Sequence, residues 1–242
     1  MFVYKPCGIE GSYIADLYKK QLNKNKVCLC GKLDIMAEGL LQLLFDEDCK
    51  NMKYHLNHNK VYRFKILWGI QTDTSDYLGL ISNIKNINHI DTNFINENME
   101  SFIGSYNQKF HNFSAKTAFN QNNEKHSLWE WSKLNRLNEI TIPQKKVSVK
   151  YIKQLDTQKL TLKQIKTYII TNLNLVKGDY RQEMIKEQWI NYNNDISHYI
   201  TEFETEVSSG FYIRQLIEDF ATKTGLIGLA YNINRIAILN TS

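Results

Sequence analysis

A carboxylate, a strand tyrosine and a helix arginine have the types and settings to do chemistry together in this chain. Asp34 lies in Gly31-Lys32-Leu33-Asp34-Ile35-Met36-Ala37-Glu38-Gly39-Leu40-Leu41, between a glycine turn and a run of small residues. A carboxylate so placed can be a nucleophile, or a cap or solvated loop residue. Tyr62 follows Lys60-Val61 and precedes Gly69-Ile70-Gln71-Thr72-Asp73-Thr74-Ser75-Asp76-Tyr77-Leu78-Gly79. Its ring can receive a flipped base or fill a core. Arg214 ends Ser209-Gly210-Phe211-Tyr212-Ile213-Arg214, on the first turn of a predicted helix. The helix dipole favours anions there, so an arginine needs a specific acidic partner. Taken singly, each residue reads better as structural than as catalytic.

Their order and spacing add what the single residues lack. Lys5-Pro6-Cys7-Gly8, the Asp34 segment, Lys60-Val61-Tyr62 with Thr72-Asp73-Thr74-Ser75-Asp76, Phe113-Ser114-Ala115-Lys116 and Tyr212-Ile213-Arg214 together resemble the TruB family of pseudouridine synthases. The resemblance runs from Lys5 to about Ile236. It implies breakage of the bond from uracil to ribose, rotation of the base, and rejoining through carbon, with neither cofactor nor metal. By the same resemblance Asp34 is the nucleophile and Arg214 its counter-cation. Tyr62 stacks on the base and assists proton removal from carbon 5. Tyr212 and Ile233 line the pocket, and Lys5 and Pro6 buttress the tyrosine. Lys5, Lys32 and Lys116 are candidate substrate contacts. The implied partner is structured RNA, foremost the T-loop uridine of tRNA. An inactive RNA-binding or RNA-folding module on the same scaffold is the alternative, as is a synthase acting on ribosomal or messenger RNA.

The chain departs from the family pattern at three places near the nucleophile. Leu29 stands where histidine is expected, Lys32 where threonine is usual, and Ile35 where proline follows the aspartate. Lys32 can contact a phosphate or be a solvated lysine. His55 and His58 are either substitutes for the missing histidine or plain surface residues. The stretch 159–194 makes the chain longer than typical bacterial members. It carries Lys159, Lys163, Lys166, Lys177, Arg181 and Lys186 against Asp179, Glu183 and Glu187. This reads as a basic helical insertion that either packs on the core or grips RNA. No C-terminal RNA-binding domain is expected.

The elements that must position these residues are legible in part. Ile14, Leu17, Tyr18 and Leu22 recur at helical spacing over 11–24. Residues 60–69 alternate as a strand, with Tyr62, Phe64, Ile66 and Trp68 on one face. Thr72 to Gly79 has turn chemistry, with a returning strand from Leu80. Strands are expected over 146–156 and 201–208, and helix from Leu160 to about Trp189 with a break near Lys177-Gly178-Asp179. Ser208-Ser209-Gly210 is expected to cap a helix reaching Thr224, with Gly225 as its stop. Irregular alternation of strands and helices favours an α+β fold, with the curved mixed sheet that the resemblance implies, in a single catalytic domain over 1–242.

Composition bounds the rest. Apolar residues form 43% of 242, enough for a core. The net charge of +5 and a pI near 8.8 suit a polyanionic partner. No apolar run matches a membrane span and no leader is evident, so a cytoplasmic monomer is expected. Cys7, Cys28, Cys30 and Cys49 lack zinc-knuckle spacing and read as reduced core residues.

Overall fold

The computed structural model describes residues 1–193 and 197–239. Strand β1 (Phe2–Lys5) leads to helix α1 (Gly11–Gln21), β2 (Val27–Leu29), β3 (Glu38–Phe45), α2 (Met52–Leu56) and β4 (Asn59–Trp68). A short hairpin, β5 (Ile70–Thr72) and β6 (Ile81–Ile84), precedes α3 (Thr92–Glu100) and β7 (Gly104–Lys109). A projecting unit follows: β8 (Thr117–Phe119), β9 (Lys125–Ser127) and α4 (Leu128–Lys133). The long β10 (Gln144–Leu160) then gives way to α5 (Leu162–Leu175) and α6 (Gln182–Asn191). Strand β11 (His198–Val207), α7 (Ile213–Thr224) and β12 (Gly228–Leu239) complete the described chain.

One eight-stranded sheet organises the molecule, in the order β1-β3-β12-β4-β11-β10-β7, with β2 added on β3. All its pairings are antiparallel except β12 with β3, so the sheet is mixed and the fold is α+β. Gly39 permits the parallel crossing. At φ +113° it lets the Arg235 backbone approach so closely that a Cβ would lie 2.3 Å from the Arg235 carbonyl oxygen. β4 lies between β12 and β11 with a continuously apolar far half, Ile66-Leu67-Trp68, as a strand covered on both faces requires. Arg63 and Lys65 escape on the more open side, pairing with Glu204 and Glu202 of β11.

Helix α7 packs on the sheet through Ile213, Leu216, Ile217 and Phe220 at helical spacing. It stops at Gly225, which takes a left-handed φ of +74°. Its start differs from expectation. The N-cap position is Tyr212, not the Ser208-Ser209-Gly210 turn. Ser208 instead accepts the Ser148 amide through its hydroxyl, and Gly210 turns the chain at φ +81°. The serines are thus spent on tying the segment to β10.

Helices α5 and α6 are integral to the main core. Ile165, Ile169, Leu173, Ile185 and Trp189 are all buried in the cluster that holds Phe64 and Phe220. Tyr168 stacks on Tyr231 with ring centroids 4.2 Å apart. Asn194, the last residue of the 159–194 stretch, lies outside the described residues. Among the described residues no helix is long and apolar enough to cross a membrane.

Candidate active site

The Asp34 loop is clamped from below. Lys5, at the end of β1, is fully buried and donates to the carbonyls of Pro6, Ile35 and Ala37. Arg235 of β12, also buried, donates to Gly31 O at 3.2 Å and Leu40 O at 2.6 Å. Gly8 N donates to Ile35 O, and Ala37 N closes a turn on Asp34 O. Two buried cations therefore hold the loop by its carbonyls. Burial brings the Lys5 ammonium down to about 8. Lys5 cannot contact a substrate, which corrects its place among the binding candidates: its ammonium is consumed by loop carbonyls. It buttresses the Asp34 loop directly.

Above the clamp the Asp34 carboxylate faces the cleft, with its side chain 36% exposed. Arg214 Nε donates to Asp34 Oδ2 at 2.7 Å and lies 3.4 Å from Asp76 Oδ2. Its other nitrogens donate to Thr74 O at 2.9 Å and Phe113 O at 3.3 Å. Burial opposes the guanidinium charge, but the Asp34 and Asp76 carboxylates outweigh it and the pKa is raised. Arginine early in a helix is thus explained by two acids rather than one. Asp76 is buried, and burial pushes its carboxyl up against the pull of Arg214. Thr74 Oγ1 at 2.7 Å and the Leu78 amide at 2.9 Å also bond its Oδ1. Asp76 was within the sequence motif but had no assigned role; an arginine needing an acid was the signal that could have found it.

A cavity of about 500 Å³ opens beside Asp34. Tyr62 of β4, Tyr212, Ile233 and Lys32 line it together with Asp34. Gln108 fixes Tyr212 by accepting from its amide and donating to its carbonyl. Burial, then the Asp34 charge, raises the Tyr212 phenol. Lys60, Lys145 and Arg235 line the same cavity, a basic lining that sequence reasoning missed. Burial, then Arg235 and Lys145, brings Lys60 down to about 8. The lining joins a partly exposed carboxylate, flat aromatic surface and cations, which suits attack on a flipped nucleotide and anchoring of its phosphate.

Other candidates lie elsewhere. Lys116 is exposed and sits 5.2 Å from the Phe110 ring centroid, outside the residues that line the cleft. Its segment turns into β8 there, carrying the side chain away. His55 bonds Gln42 and His58 is buried, both in an aromatic group with Tyr54, so neither reaches the cleft as a substitute histidine. Leu29 lines the cleft on the opposite side of Asp34. The four cysteines are free, Cys30 and Cys49 buried and Cys7 and Cys28 partly so. Among the described residues no group of His, Cys, Asp or Glu could hold a metal.

Comparison with known proteins finds likeness in fold and in sequence. A solved Cbf5–Nop10–Gar1 complex superposes with a TM-score of 0.58 at 16% identity, over 97% of this chain and 47% of the matched one. An H/ACA ribonucleoprotein bound to a substrate RNA containing 2′-deoxyuridine gives 0.55 at 15%, over 97% of this chain and 45% of the other. These likenesses show the fold. In sequence, tRNA pseudouridine synthase B of Ehrlichia ruminantium is 39% identical over 46% of this chain and 37% of its own length. That of Aquifex aeolicus is 26% identical over 98% of this chain and 67% of its own. The matched parts thus span less than half of the Ehrlichia relative and two thirds of the Aquifex one. The model of the TruB family pseudouridylate synthase (N-terminal domain) matches residues 19–180, well over half of the sequence. On that match the chain belongs to the TruB family.

Proposed function

We propose that this chain is an RNA pseudouridine synthase that isomerises a uridine in structured RNA, foremost the T-loop uridine of tRNA. The observation that carries the reading is the Asp34–Arg214 pair. A buried guanidinium holds a partly exposed carboxylate at 2.7 Å on the wall of an aromatic-lined cavity. A carboxylate so held is a ready nucleophile. The names of the relatives, tRNA pseudouridine synthase B, support tRNA as the substrate.

The chemistry balances without a co-reactant. The bond from ribose C1′ to uracil N1 breaks, the base turns, and a bond from C1′ to C5 forms. The proton on C5 leaves and N1 gains one. Asp34 carries the covalent step, whether at the sugar or the base. Tyr62 and Ile233, which line the cavity, hold the ring while it is detached, and in this reading Tyr62 assists loss of the C5 proton. Lys145 and the exposed Lys32 offer charge to the phosphate of the flipped nucleotide.

Tritium release from RNA labelled at uridine C5 tests the reading. Wild type is expected to release tritium from tRNA. Asp34→Asn is expected to release none above background while binding RNA within about threefold of wild type, since shape is kept and the nucleophile is lost. Full turnover by Asp34→Asn removes the aspartate from the mechanism. A wild type that binds tRNA yet releases no tritium favours the inactive binding module.

A further inference from the structure

Arg214 can serve Asp34 only if its guanidinium is held in one plane. The group is a flat fork, so fixed acceptors on its two terminal nitrogens decide where the Nε proton points. Those acceptors are Thr74 O and Phe113 O, at 2.9 and 3.3 Å, and they leave Nε on Asp34 Oδ2. Neither carbonyl belongs to a regular element. Thr74 lies between β5 and β6, and Phe113 between β7 and β8. Both loops need an anchor against α7.

One carboxylate reaches both. Glu218 lies four residues beyond Arg214 on α7, one turn along the same side of the helix. Ser75 follows Thr74, and its hydroxyl donates to Glu218 Oε1. Ser75 takes a left-handed φ of +56°, which a non-glycine residue keeps only when surroundings enforce it. Its backbone is tied as well, the amide to Thr72 O at 3.2 Å and the carbonyl to the Ala230 amide at 2.9 Å. On the second loop His111 is fully buried, and its Nδ1 accepts the Phe113 amide at 3.0 Å. A neutral imidazole that accepts through Nδ1 carries its proton on Nε2. That nitrogen lies 3.2 Å from Glu218 Oε1, a charge contact rather than an aligned hydrogen bond. Burial pushes the Glu218 carboxyl up, but His111, Ser75 and the Arg214 charge outweigh it and bring it below its ordinary range.

Glu218 stands behind the chemistry, not in it. The cleft has a second cavity, of about 580 Å³, on the other side of Asp34. Glu218 lines neither that cavity nor the one beside Tyr62, so its effect passes through Arg214. We propose that Glu218 is a positioning residue for the reaction, anchoring Ser75 and His111 on one oxygen and so setting the two carbonyls that orient Arg214 towards Asp34. This role rests on the synthase reading above. Misplacing a reacting group by about 1 Å can cost on the order of a hundredfold in rate.

Single-turnover tritium release tests the role, with RNA affinity measured beside it and each variant assayed well below its melting temperature. Glu218→Ala is expected to slow release roughly ten- to a hundredfold while Kd stays within about threefold, since only the attacking geometry is disturbed. Glu218→Gln still presents Oε1 to Ser75 and His111, and is expected to release within about threefold of wild type. A Glu218→Ala rate within about twofold of wild type overturns the proposal, as does a loss confined to Kd. So does a Glu218→Gln defect as large as that of Glu218→Ala, which would make the charge and not the anchor the cause. Should Glu218→Ala fail to fold, Ser75→Ala removes one arm alone and is expected to slow release several-fold; an unchanged rate there overturns the proposal. The magnetic resonance signal of the Arg214 Nε–H, assigned by its loss in Arg214→Lys, reads the geometry without turnover. It is expected to move in Glu218→Ala and to return in Glu218→Gln. An unmoved signal in Glu218→Ala overturns the positioning whether or not tritium is released. A signal that moves in a protein whose wild type releases none removes the synthase and leaves Glu218 as the brace of Arg214.

Discussion

Arg214 makes four polar contacts and has a side chain only 6% exposed, so its removal has consequences beyond the nucleophile. Arg214→Met leaves Asp76, 4% exposed at its side chain, as a buried carboxylate with no cation. Breaking a buried pair from one side costs about 3–5 kcal/mol. The sign of its pH dependence follows from Asp76. Burial already raises that carboxyl above its ordinary 3.8, and loss of Arg214 raises it further. A raised acid binds more protons folded than unfolded, so the penalty is present above the raised pKa and fades as pH falls towards the ordinary value. The stability deficit of Arg214→Met is therefore expected to shrink between neutral pH and about 4, as read by urea unfolding at each pH. A deficit that grows on acidification would show that Asp76 is not the stranded charge.

At the scale of elements, α5 and α6 are the test of how far local pattern carries. Their helical periodicity was legible, and so was the break near Lys177-Gly178-Asp179, because buried residues recur at turn spacing and glycine interrupts them. What their apolar faces meet was not legible, since Tyr168 of α5 packs on Tyr77 and on Tyr231 of β12, both far away in sequence. Trp189 of α6 is fully buried in that shared core. Trp189→Ala is expected to lower stability by about 3–5 kcal/mol in a single cooperative transition. Separate transitions by tryptophan fluorescence and far-ultraviolet dichroism would show instead that the pair of helices melts on its own. The cap of α7 was misread for a similar reason. Ser208 and Gly210 have cap chemistry, but β10 takes the serine hydroxyl and the helix starts later, at Ile213. Asp34, Tyr62 and Arg214 were findable because each stands in a distinctive local string. Arg181 with Asp73 was not: the pair spans 108 residues and depends on a left-handed arginine that no periodicity announces.

For the whole molecule, the net charge of +5 says less than where the cations stand. Lys5 and Arg235 are locked under the Asp34 loop and Lys60 donates to Leu56 O and His58 O, so these charges shape the site rather than meet solvent. Lys32 is different: it is exposed and lines both cavities. Lys32→Ala is expected to weaken RNA binding uniformly across sequences. It is also expected to reduce the slope of log affinity against log salt by about one phosphate contact. An unchanged slope would return Lys32 to the solvated lysines.

The clamp beneath Asp34 has a consequence for how the protein comes into being. Lys5 is made early and Arg235 near the end of the described chain, and both grip one short loop, with Arg214 joining from late in the sequence. Such contacts between distant positions form late and slow a folding reaction. A nascent chain still short of Arg235 holds the Asp34 loop through Lys5 but lacks the bonds from Arg235 to Gly31 O and Leu40 O. The full set of bonds beneath Asp34 therefore requires β12, and their onset during synthesis would report that this strand has docked.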